Sequence, residues 1–195
     1  MGGSSESGRK IKASTFYFFK TKKRIALLII IFLGSIWFYF CLPSPLFSEQ
    51  TSTVLEDQSG TLLSARIAKD GQWHFPATTH VSKKFISGIT QFEDRSFYYH
   101  PGINPLSLIR ATYQNIKAGK IKSGGSTLSM QVIRLARKKK QRKKLEKIIE
   151  LILAVRLELR YSKYEILCLY ASNAPFGSNV IGIDAASWRY FGRDP

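Results

Sequence analysis

Apolar residues are concentrated in one uninterrupted segment near the N-terminus, residues 25–42, which contains no charged side chain. A helix of about 18 apolar residues just spans the hydrocarbon core of a bilayer. The residues before it include seven lysines and arginines against a single acidic residue, Glu6. Because positively charged flanks stay in the cytoplasm, the pattern predicts one transmembrane helix, with the N-terminus inside and everything after Leu42 outside. A cleaved signal peptide is the alternative, but no small-residue cleavage pattern follows the segment.

Beyond residue 42 the pattern changes twice. Residues 54–76 show short strand-like runs between Asp- and Gly-containing turns, which predicts a hairpin or strand pair. From residue 82 onward apolar residues recur at helical spacing, for example at Phe85, Ile86, Ile89 and Phe92. Helix starts are predicted at Ser82, Asn104–Pro105, 124–127, residue 144 and the capping box at Ser162.

These patterns predict four regions and a mainly α fold with a small β element at its start. The regions are a basic cytoplasmic tail (1–24), a transmembrane anchor (25–42), a Pro/Ser/Thr-rich linker (43–53) and one domain (54–195).

The excess of basic over acidic residues indicates a negatively charged partner. The 195 residues carry a formal net charge of +17, which indicates a polyanion: nucleic acid, anionic lipid or a phosphate-bearing substrate. Nucleic acid is the weakest of these, because the predicted anchor places most of the basic residues outside the cytoplasm. The two cysteines, Cys41 and Cys168, indicate neither a disulfide framework nor a metal site.

The acidic pair Glu93–Asp94 is the first candidate for chemistry, at the end of the helix that begins at Ser82. A boundary between a helix and an irregular segment holds a carboxylate rigidly and leaves it open to a substrate. Shielding by nearby aromatic rings would make Glu93 a stronger base than a carboxylate in water, as a general base requires. The rings are those of Phe92, Phe97, Tyr98 and Tyr99. From these residues alone, a solvated surface pair is the alternative.

A glycine turn and a basic cluster form the second candidate. Paired glycines before a helix, at 124–127, let backbone N–H groups approach a phosphate or pyrophosphate. A plain linker explains the same residues. The cluster that follows predicts contacts with anionic groups, with a solvated helix face as the alternative. Its members are Arg134, Arg137, Lys138, Lys139, Lys140, Arg142, Lys143, Lys144 and Lys147.

Glu150 is the third candidate, because it is the only charged residue of the apolar stretch 148–155. An ionised carboxylate there is costly unless it pairs with a cation or a metal, and Lys147 lies one turn earlier. A Glu150 that points outward is the alternative. If Glu93 and Glu150 meet in one cleft, the pair suits glycosidic chemistry.

Four segments in order resemble the motifs of the peptidoglycan glycosyltransferase domain, glycosyltransferase family 51, of class A penicillin-binding proteins. They are residues 93–102 (EDRSFYYHPG), 125–131 (GSTLSMQ), 147–150 (KIIE) and 163–170 (KYEILCLY), and 182–192 resembles the family's final motif. Residues 70–76, 130–131 and 174–177 point to the penicillin-binding protein 1C branch. The resemblance covers about residues 54–195.

The resemblance implies a lysozyme-like fold beside the membrane and the polymerisation of lipid II into glycan strands. Glu93 would be the general base. Glu150, the second catalytic carboxylate, would help to hold the leaving undecaprenyl pyrophosphate, directly or through a divalent metal, by family resemblance Mg²⁺. The implied substrate-binding residues are Asp94, Phe97, His100, Gly125, Ser126, Thr127, Gln131, Arg134 and Lys147. The implied partners are lipid II, the growing glycan strand, inner-membrane lipids and cell-wall synthesis proteins.

The chain departs from the family's pattern at two places. Glu146 stands where the family often has Arg, and Ala171–Ser172 stand where it usually has Leu-Asn, so we expect a contact of the amide to be lost. The sequence stops at Pro195 without closing helices or a transpeptidase domain, so we expect no penicillin binding and a less fully packed fold. Two alternatives stay open: an inactive, membrane-anchored remnant that binds lipid II or cell-wall partners, and a lysozyme-like hydrolase.

Overall fold

A computed structural model describes residues 23–48, 50–138 and 144–195, with the side chain of Lys144 left out. The residues fall into two units, 1–43 and 44–195. In the first unit, helix α1 (Lys23–Phe40) has a mean hydropathy of 1.8 and is long and apolar enough to cross a bilayer. The helix ends two residues before the predicted limit of Leu42. Leu42 is followed by Pro43, and a residue that precedes a proline disfavours the helical conformation. The predicted basic tail lies almost wholly outside the described residues.

The second unit begins with the predicted strand pair. Strands β1 (Thr53–Glu56) and β2 (Leu62–Arg66) form an antiparallel hairpin. Its turn is closed by Asp57, whose Oδ1 accepts hydrogen bonds from the backbone N–H groups of Ser59 (2.8 Å) and Thr61 (2.9 Å). The prediction of a hairpin is therefore confirmed.

A second, smaller strand pair was not predicted. Strand β3 (Trp73–His74) pairs in parallel with β4 (Val180–Ile181), a segment far away in the sequence. The pair covers a small cluster of buried apolar side chains: Phe75, Val180, Ala185 and Ala186. Strands of two residues leave no periodic pattern, which explains why the sequence did not reveal them.

Six helices complete the described part of the unit, together with a 3₁₀ turn at Phe97–Tyr99. They are α2 (Lys83–Glu93), α3 (Pro105–Ala118), α4 (Leu128–Arg137), α5 (Lys144–Glu158), α6 (Lys163–Asn173) and α7 (Ile183–Phe191). The side chains of Ser82, Asn104, Thr127 and Ser162 cap α2, α3, α4 and α6, because each accepts a hydrogen bond from a backbone N–H of the first turn. The predicted starts are confirmed, whereas α7 was not predicted.

Helix α4 is the centre of the core and packs against both α5 and α6. Its side chains Leu128, Met130, Val132 and Ile133 are at most 1% exposed. Leu157 of α5 and Ile166 and Leu167 of α6 are buried to the same degree. The mainly α fold is confirmed, and any polar residue on α4 is thereby held in a rigid frame.

Candidate active site

Glu93 is the last residue of α2, and its side chain is exposed to solvent. Its Oε2 accepts a hydrogen bond of 2.6 Å from Nε2 of Gln131 on α4. The residue lines a cavity of about 310 Å³ that also contains the loop after α2, the start of α3 and the glycine turn. Tyr170 of α6 lies near this carboxylate. The pKa of its phenol is raised mainly by burial and, to a smaller extent, by the negative charge of Glu93. Glu93 is thus positioned by a neighbour and open to a ligand.

The predicted aromatic shield around Glu93 is wrong. Glu93 itself is exposed, so no ring shields its carboxylate from water. Phe92, Tyr98 and Tyr99 are 90%, 54% and 89% exposed, and Phe97 lies in the core with no exposed surface. The apolar spacing was read correctly as a helix, but α2 has no buried residue and leaves Phe92 in solvent.

Asp94 and His100 tie the loop after α2 to the start of α4. The Nε2 of His100 lies 3.0 Å from both carboxylate oxygens of Asp94, and Oδ2 of Asp94 accepts a hydrogen bond of 3.0 Å from the N–H of Leu128. A carboxylate at a helix N-terminus is stabilised by the helix dipole. Both side chains are at least nine-tenths buried. We predicted substrate contacts for the two residues. Asp94 borders the Glu93 cavity although it is only 7% exposed, and His100 is 8% exposed, so the contacts that the structure shows for both are within the protein. Their substrate contacts stay a prediction.

Phe97 and Thr127 also support the site from below. Phe97 is fully buried, with Nζ of Lys163 at 4.5 Å from the centre of its ring. The predicted substrate contact of Phe97 is therefore wrong, because no surface of the ring is accessible. Thr127 borders the cavity but is 2% exposed; its Oγ1 donates a 2.6 Å hydrogen bond to the carbonyl of Gly102 and accepts one from Met130. It joins the loop to the first turn of α4.

The glycine turn 124–127 is packed tightly against α3. A Cβ atom on Gly125 would lie 3.0 Å from both Cα of Leu108 and the carbonyl oxygen of Ser107, so a larger residue would push the turn and α3 apart. The side chain of Asn115 fixes the residues just before the turn: its Oδ1 accepts from the N–H groups of Lys122 (2.7 Å) and Ser123 (2.9 Å), and its Nδ2 donates to the carbonyl of Ser123. The predicted turn is therefore held by α3 as well as by α4.

Ser126, Arg134, Lys147 and Glu150 form one connected polar cluster on the other side of this turn. The guanidinium of Arg134 faces both carboxylate oxygens of Glu150 at 3.2 Å each. The Oγ of Ser126 accepts hydrogen bonds from Nζ of Lys147 (2.7 Å) and from Nη2 of Arg134 (3.2 Å). Glu150 is only 5% exposed. The alternative of an outward-pointing Glu150 is therefore wrong, and Arg134 of the neighbouring helix is a cation partner that the sequence did not indicate.

Helix α4 brings the two carboxylates of the hypothesis together. Gln131 binds Glu93 and Arg134 binds Glu150, and residues three apart on a helix are neighbours on one face. Glu150 and Lys147 line a cavity of about 350 Å³, and the Glu93 cavity shares Gly124, Gly125 and Ser126 with it. The two acids thus lie in adjoining cavities on either side of the glycine turn.

The basic cluster is only partly visible. Arg137 pairs with Glu146 at 2.8 Å, which places the acidic departure of this chain beside a cation of α4. Lys138 ends α4 in the left-handed conformation. Lys139, Lys140, Arg142 and Lys143, and the side chain of Lys144, lie outside the described residues.

The second departure, Ser172, is a structural residue. It is 4% exposed, its Oγ accepts a hydrogen bond of 3.0 Å from the N–H of Thr78, and its carbonyl lies 3.1 Å from Nε2 of His74. A serine therefore makes a contact of its own here, away from both cavities.

The donor set does not fit a divalent ion held by the protein alone. Within residues 23–48, 50–138 and 144–195, no three His, Cys, Asp or Glu side chains come together as metal ligands. Glu150 already has a guanidinium on both oxygens, whereas Mg²⁺ requires near-octahedral oxygen ligands. The dependence on Mg²⁺ stays a prediction, and no step below passes through a metal.

Three residues of the site escaped the sequence analysis. Asn115 holds the turn, Tyr170 lies near Glu93 and Arg110 lines the Glu93 cavity. Each stands inside a helical pattern as an ordinary polar or aromatic position. Only the packing of α6 on α4, and of α3 on the segment that leads into the glycine turn, gives these residues a role, and no local pattern indicated it.

Comparison with known proteins gives the site a family. The transglycosylase family matches residues 60–195. Penicillin-binding protein 1C of Escherichia coli (strain K12) is 43% identical over 154 residues, which cover 78% of this chain and 20% of that protein. Penicillin-binding protein 1A of Aquifex aeolicus (strain VF5) is 34% identical over 113 residues, 58% of this chain and 16% of that protein. Penicillin-binding protein 1F of Bacillus subtilis (strain 168) is 31% identical over 171 residues, 87% of this chain and 23% of that protein.

The chain thus spans no more than 23% of the length of these three relatives. Over that part the family match extends from β2 and its turn to the last described residue. The mainly helical, lysozyme-like domain described above therefore belongs to the transglycosylase family, the peptidoglycan glycosyltransferases found in class A penicillin-binding proteins.

Proposed function

We propose that this chain is a peptidoglycan glycosyltransferase that polymerises lipid II into glycan strands and releases undecaprenyl pyrophosphate. The observation that carries the proposal is that side chains of α4 bind both carboxylates: Gln131 donates a hydrogen bond to Glu93, and Arg134 donates one to Glu150. Glu93 is open to solvent and suited to proton transfer, whereas Glu150 is buried and paired with a cation. This division of roles is what a base and a leaving-group site require.

Glu93 acts as the general base. Gln131 occupies its Oε2, so we assign the incoming proton to Oε1. As the proton leaves the sugar hydroxyl of the acceptor, the hydroxyl oxygen attacks the anomeric carbon of the donor. The bond from that carbon to the pyrophosphate oxygen breaks on the opposite face, so the anomeric configuration inverts and the electron pair leaves with the pyrophosphate.

The cluster around Ser126 holds the leaving group. Lys147 and Arg134 already converge on Oγ of Ser126, at 2.7 and 3.2 Å, and a pyrophosphate oxygen in that position would meet the same two donors. Fixed cations that face the developing charge lower the barrier without reorganisation. Glu150 positions Arg134 and limits the net positive charge, which favours release of the product.

We further propose that the domain works at the outer face of the cytoplasmic membrane. Helix α1 fits a single span, and the basic residues before it favour a cytoplasmic N-terminus. Helix α3 supports a membrane-facing domain independently, because four large apolar side chains recur along one of its faces and are 65–80% exposed. These side chains are Leu106, Ile109, Tyr113 and Ile116. Basic residues at 117, 120 and 122 follow the stripe and suit anionic headgroups.

The test is polymerisation of lipid II by the full chain in detergent, with Glu93→Gln against the control Glu56→Gln, an exposed acid of β1. We expect Glu93→Gln to lose at least a hundredfold in turnover and the control to lose almost nothing. Equal activity of the two variants would remove Glu93 from the mechanism. Lipid II binding by the wild type without any polymer would favour the inactive remnant, and release of reducing ends from finished glycan would favour a hydrolase.

A further inference from the structure

The inner face of α3 packs on the chain segment that joins it to α4, and on little else. The residues of this helix that are not exposed number four of its 14: Ser107, Leu108, Ala111 and Asn115. A Cβ added to Gly125 would lie 3.0 Å from an atom of Ser107 and from an atom of Leu108. Within the described residues, α3 packs extensively against no other helix or strand. The positions of α3 and of the α3–α4 connection, residues 119–127, are therefore set together.

Asn115 supplies the hydrogen bonds that the α3–α4 connection lacks in its own backbone. Over the described part of the chain, the backbone groups of residues 120–126 make no hydrogen bond to another backbone group. The side-chain Oδ1 of Asn115 instead accepts from the N–H groups of Lys122 (2.7 Å) and Ser123 (2.9 Å), and its Nδ2 donates to the carbonyl of Ser123 (3.0 Å). These bonds come directly before Gly124, so Asn115 decides where the chain enters the glycine turn.

The α3–α4 connection also presents an apolar side chain between two cations to solvent. Ile121 is 91% exposed, and Lys120 and Lys122 on either side of it are exposed as well. Along the chain, these residues follow the stripe of exposed apolar side chains on α3. Apolar side chains with neighbouring lysines suit the surface of an anionic bilayer, which buries the apolar groups and attracts the ammonium groups. Asn115 binds the backbone of Lys122, so a contact that holds this part of the chain also holds the glycine turn.

We propose that Asn115 is a positioning residue for the reaction, through which contact of α3 and residues 120–122 with a lipid surface fixes the glycine turn. The inference rests on the proposed function. The turn lies between the Glu93 cavity and the Lys147 cavity, so its position sets the distance between the base and the leaving-group site. In water the outer face of α3 is uncovered, and an element with few buried contacts has low local stability. A bilayer that covers this face restricts the turn to fewer positions, and turnover rises at the lipid surface.

The first experiment measures the lipid response, which is kcat in vesicles of phosphatidylglycerol and phosphatidylcholine divided by kcat in an uncharged detergent. Polymerisation of lipid II by the full chain is compared for wild type, Asn115→Ala and the control Gln114→Ala, the neighbouring exposed amide of α3.

We expect a lipid response of about fivefold for wild type and for Gln114→Ala, because misplaced catalytic groups cost rate. The response of Asn115→Ala should be close to one: its kcat in vesicles falls about fivefold while KM stays almost unchanged. A purely structural role of Asn115 would lower kcat in both media and leave the ratio as in wild type, and that result would overturn the inference. A wild type without any lipid response would overturn it as well.

The second experiment tests the lipid contact without relying on turnover. A fluorophore is attached to Ile109→Cys, on the exposed stripe of α3, in the full chain with Cys41 and Cys168 replaced by serine. Vesicles of the same composition that contain nitroxide-labelled lipid should quench its emission, but not that of the same label at Leu63→Cys, an exposed position of β2. Adding Asn115→Ala should leave the quenching unchanged, because Asn115 transmits the contact and does not make it.

The outcomes separate this inference from the proposed function. An unquenched label at position 109 would overturn the inference, whether or not polymer is made. Polymerisation with the same lipid response in Asn115→Ala and wild type would overturn the inference alone. A quenched label at position 109 in a chain that makes no polymer in either medium would refute the proposed function, and the role of Asn115 in the reaction with it, while the lipid contact would stand.

Discussion

Replacing Gly125 with alanine tests how strongly the reaction depends on the docking of α3. The added Cβ would lie 3.0 Å from two backbone atoms, Cα of Leu108 and the carbonyl oxygen of Ser107. Carbon atoms in contact are optimally about 3.5–4.0 Å apart, so the turn and α3 must separate by a few tenths of an ångström. Backbone cannot rotate away as a side chain can, and overpacking of this kind costs about 1–3 kcal/mol of stability.

The same shift should also reach the groups proposed to carry the reaction. Gly125 lies between the Glu93 cavity and the Lys147 cavity, so the movement changes the distance between base and leaving-group site. A misplacement of about 1 Å costs on the order of a hundredfold in rate, so a shift of a few tenths of an ångström should cost roughly three- to tenfold. We therefore expect Gly125→Ala to lose about three- to tenfold in kcat while the protein remains folded at the assay temperature.

The matched comparison is Gly124→Ala, because a Cβ on Gly124 meets no atom within 4 Å. It should lose far less activity than Gly125→Ala and unfold at the same urea concentration as wild type. Both variants are measured by lipid II polymerisation and by urea denaturation. Equal activity of Gly125→Ala and Gly124→Ala would refute the reasoning, because it would mean that the turn tolerates the displacement of α3.

Other predictions concern the buried charges. Arg134→Met should lower the free energy of unfolding by about 2–4 kcal/mol, because it leaves the buried Glu150 without its arginine partner, whose side chain is 32% exposed. In urea denaturation, the double variant Arg134→Met/Glu150→Met should regain most of this loss. A single variant as stable as wild type would contradict the ion pair. Burial raises the pKa of Asp184 above 3.8, so the protonated form is favoured in the folded state and the wild type should gain stability as the pH falls from neutral through that pKa. Melting curves at pH 7 and pH 5 should show a smaller gain in stability for Asp184→Asn than for wild type. The same change with pH in both proteins would rule out a raised pKa of Asp184. Burial also raises the pKa of the Cys168 thiol, so at pH 8 a variant with Cys41 replaced should react with iodoacetamide more slowly than free cysteine does; an equal rate would show an accessible thiolate.

Local patterns predicted most of the elements but not their mutual placement. The caps Ser82, Asn104, Thr127 and Ser162 are side chains that act on their own first turn, so their signal is complete within four residues. The pairing of β3 with β4 joins two dipeptides that are distant in the sequence. Nothing within either dipeptide specifies the partner.

The candidate site divides in the same way. Glu93 stood out in an acidic pair at the end of a helix, and Glu150 as the only charge of an apolar stretch. Both are held by side chains of α4. The expected surroundings of Glu93 were wrong, because nearness in sequence does not decide burial: Phe97 turns into the core while Phe92 and Tyr99 remain in solvent. Likewise, the sequence pointed to Lys147 as a partner for Glu150 at one helical turn, but it gave no sign of Arg134, which donates from the neighbouring helix to both oxygens of Glu150.

The charge count of the leaving-group site bears on the departure at Glu146. Among the side chains that the structure describes, Arg134 and Arg137 face Glu150 and Glu146, and Lys147 adds a third cation. Lys147 and Glu150 line the cavity itself, and the five side chains together carry a net charge of +1. An arginine at position 146 would raise this charge by two, to +3. Pyrophosphate would then bind more tightly both in the transition state and after the bond has broken, and uniform binding of that kind slows product release without lowering the chemical barrier. The acid at 146 is therefore compatible with turnover, because it weakens the hold on the product while leaving Lys147 and Arg134 where the charge develops.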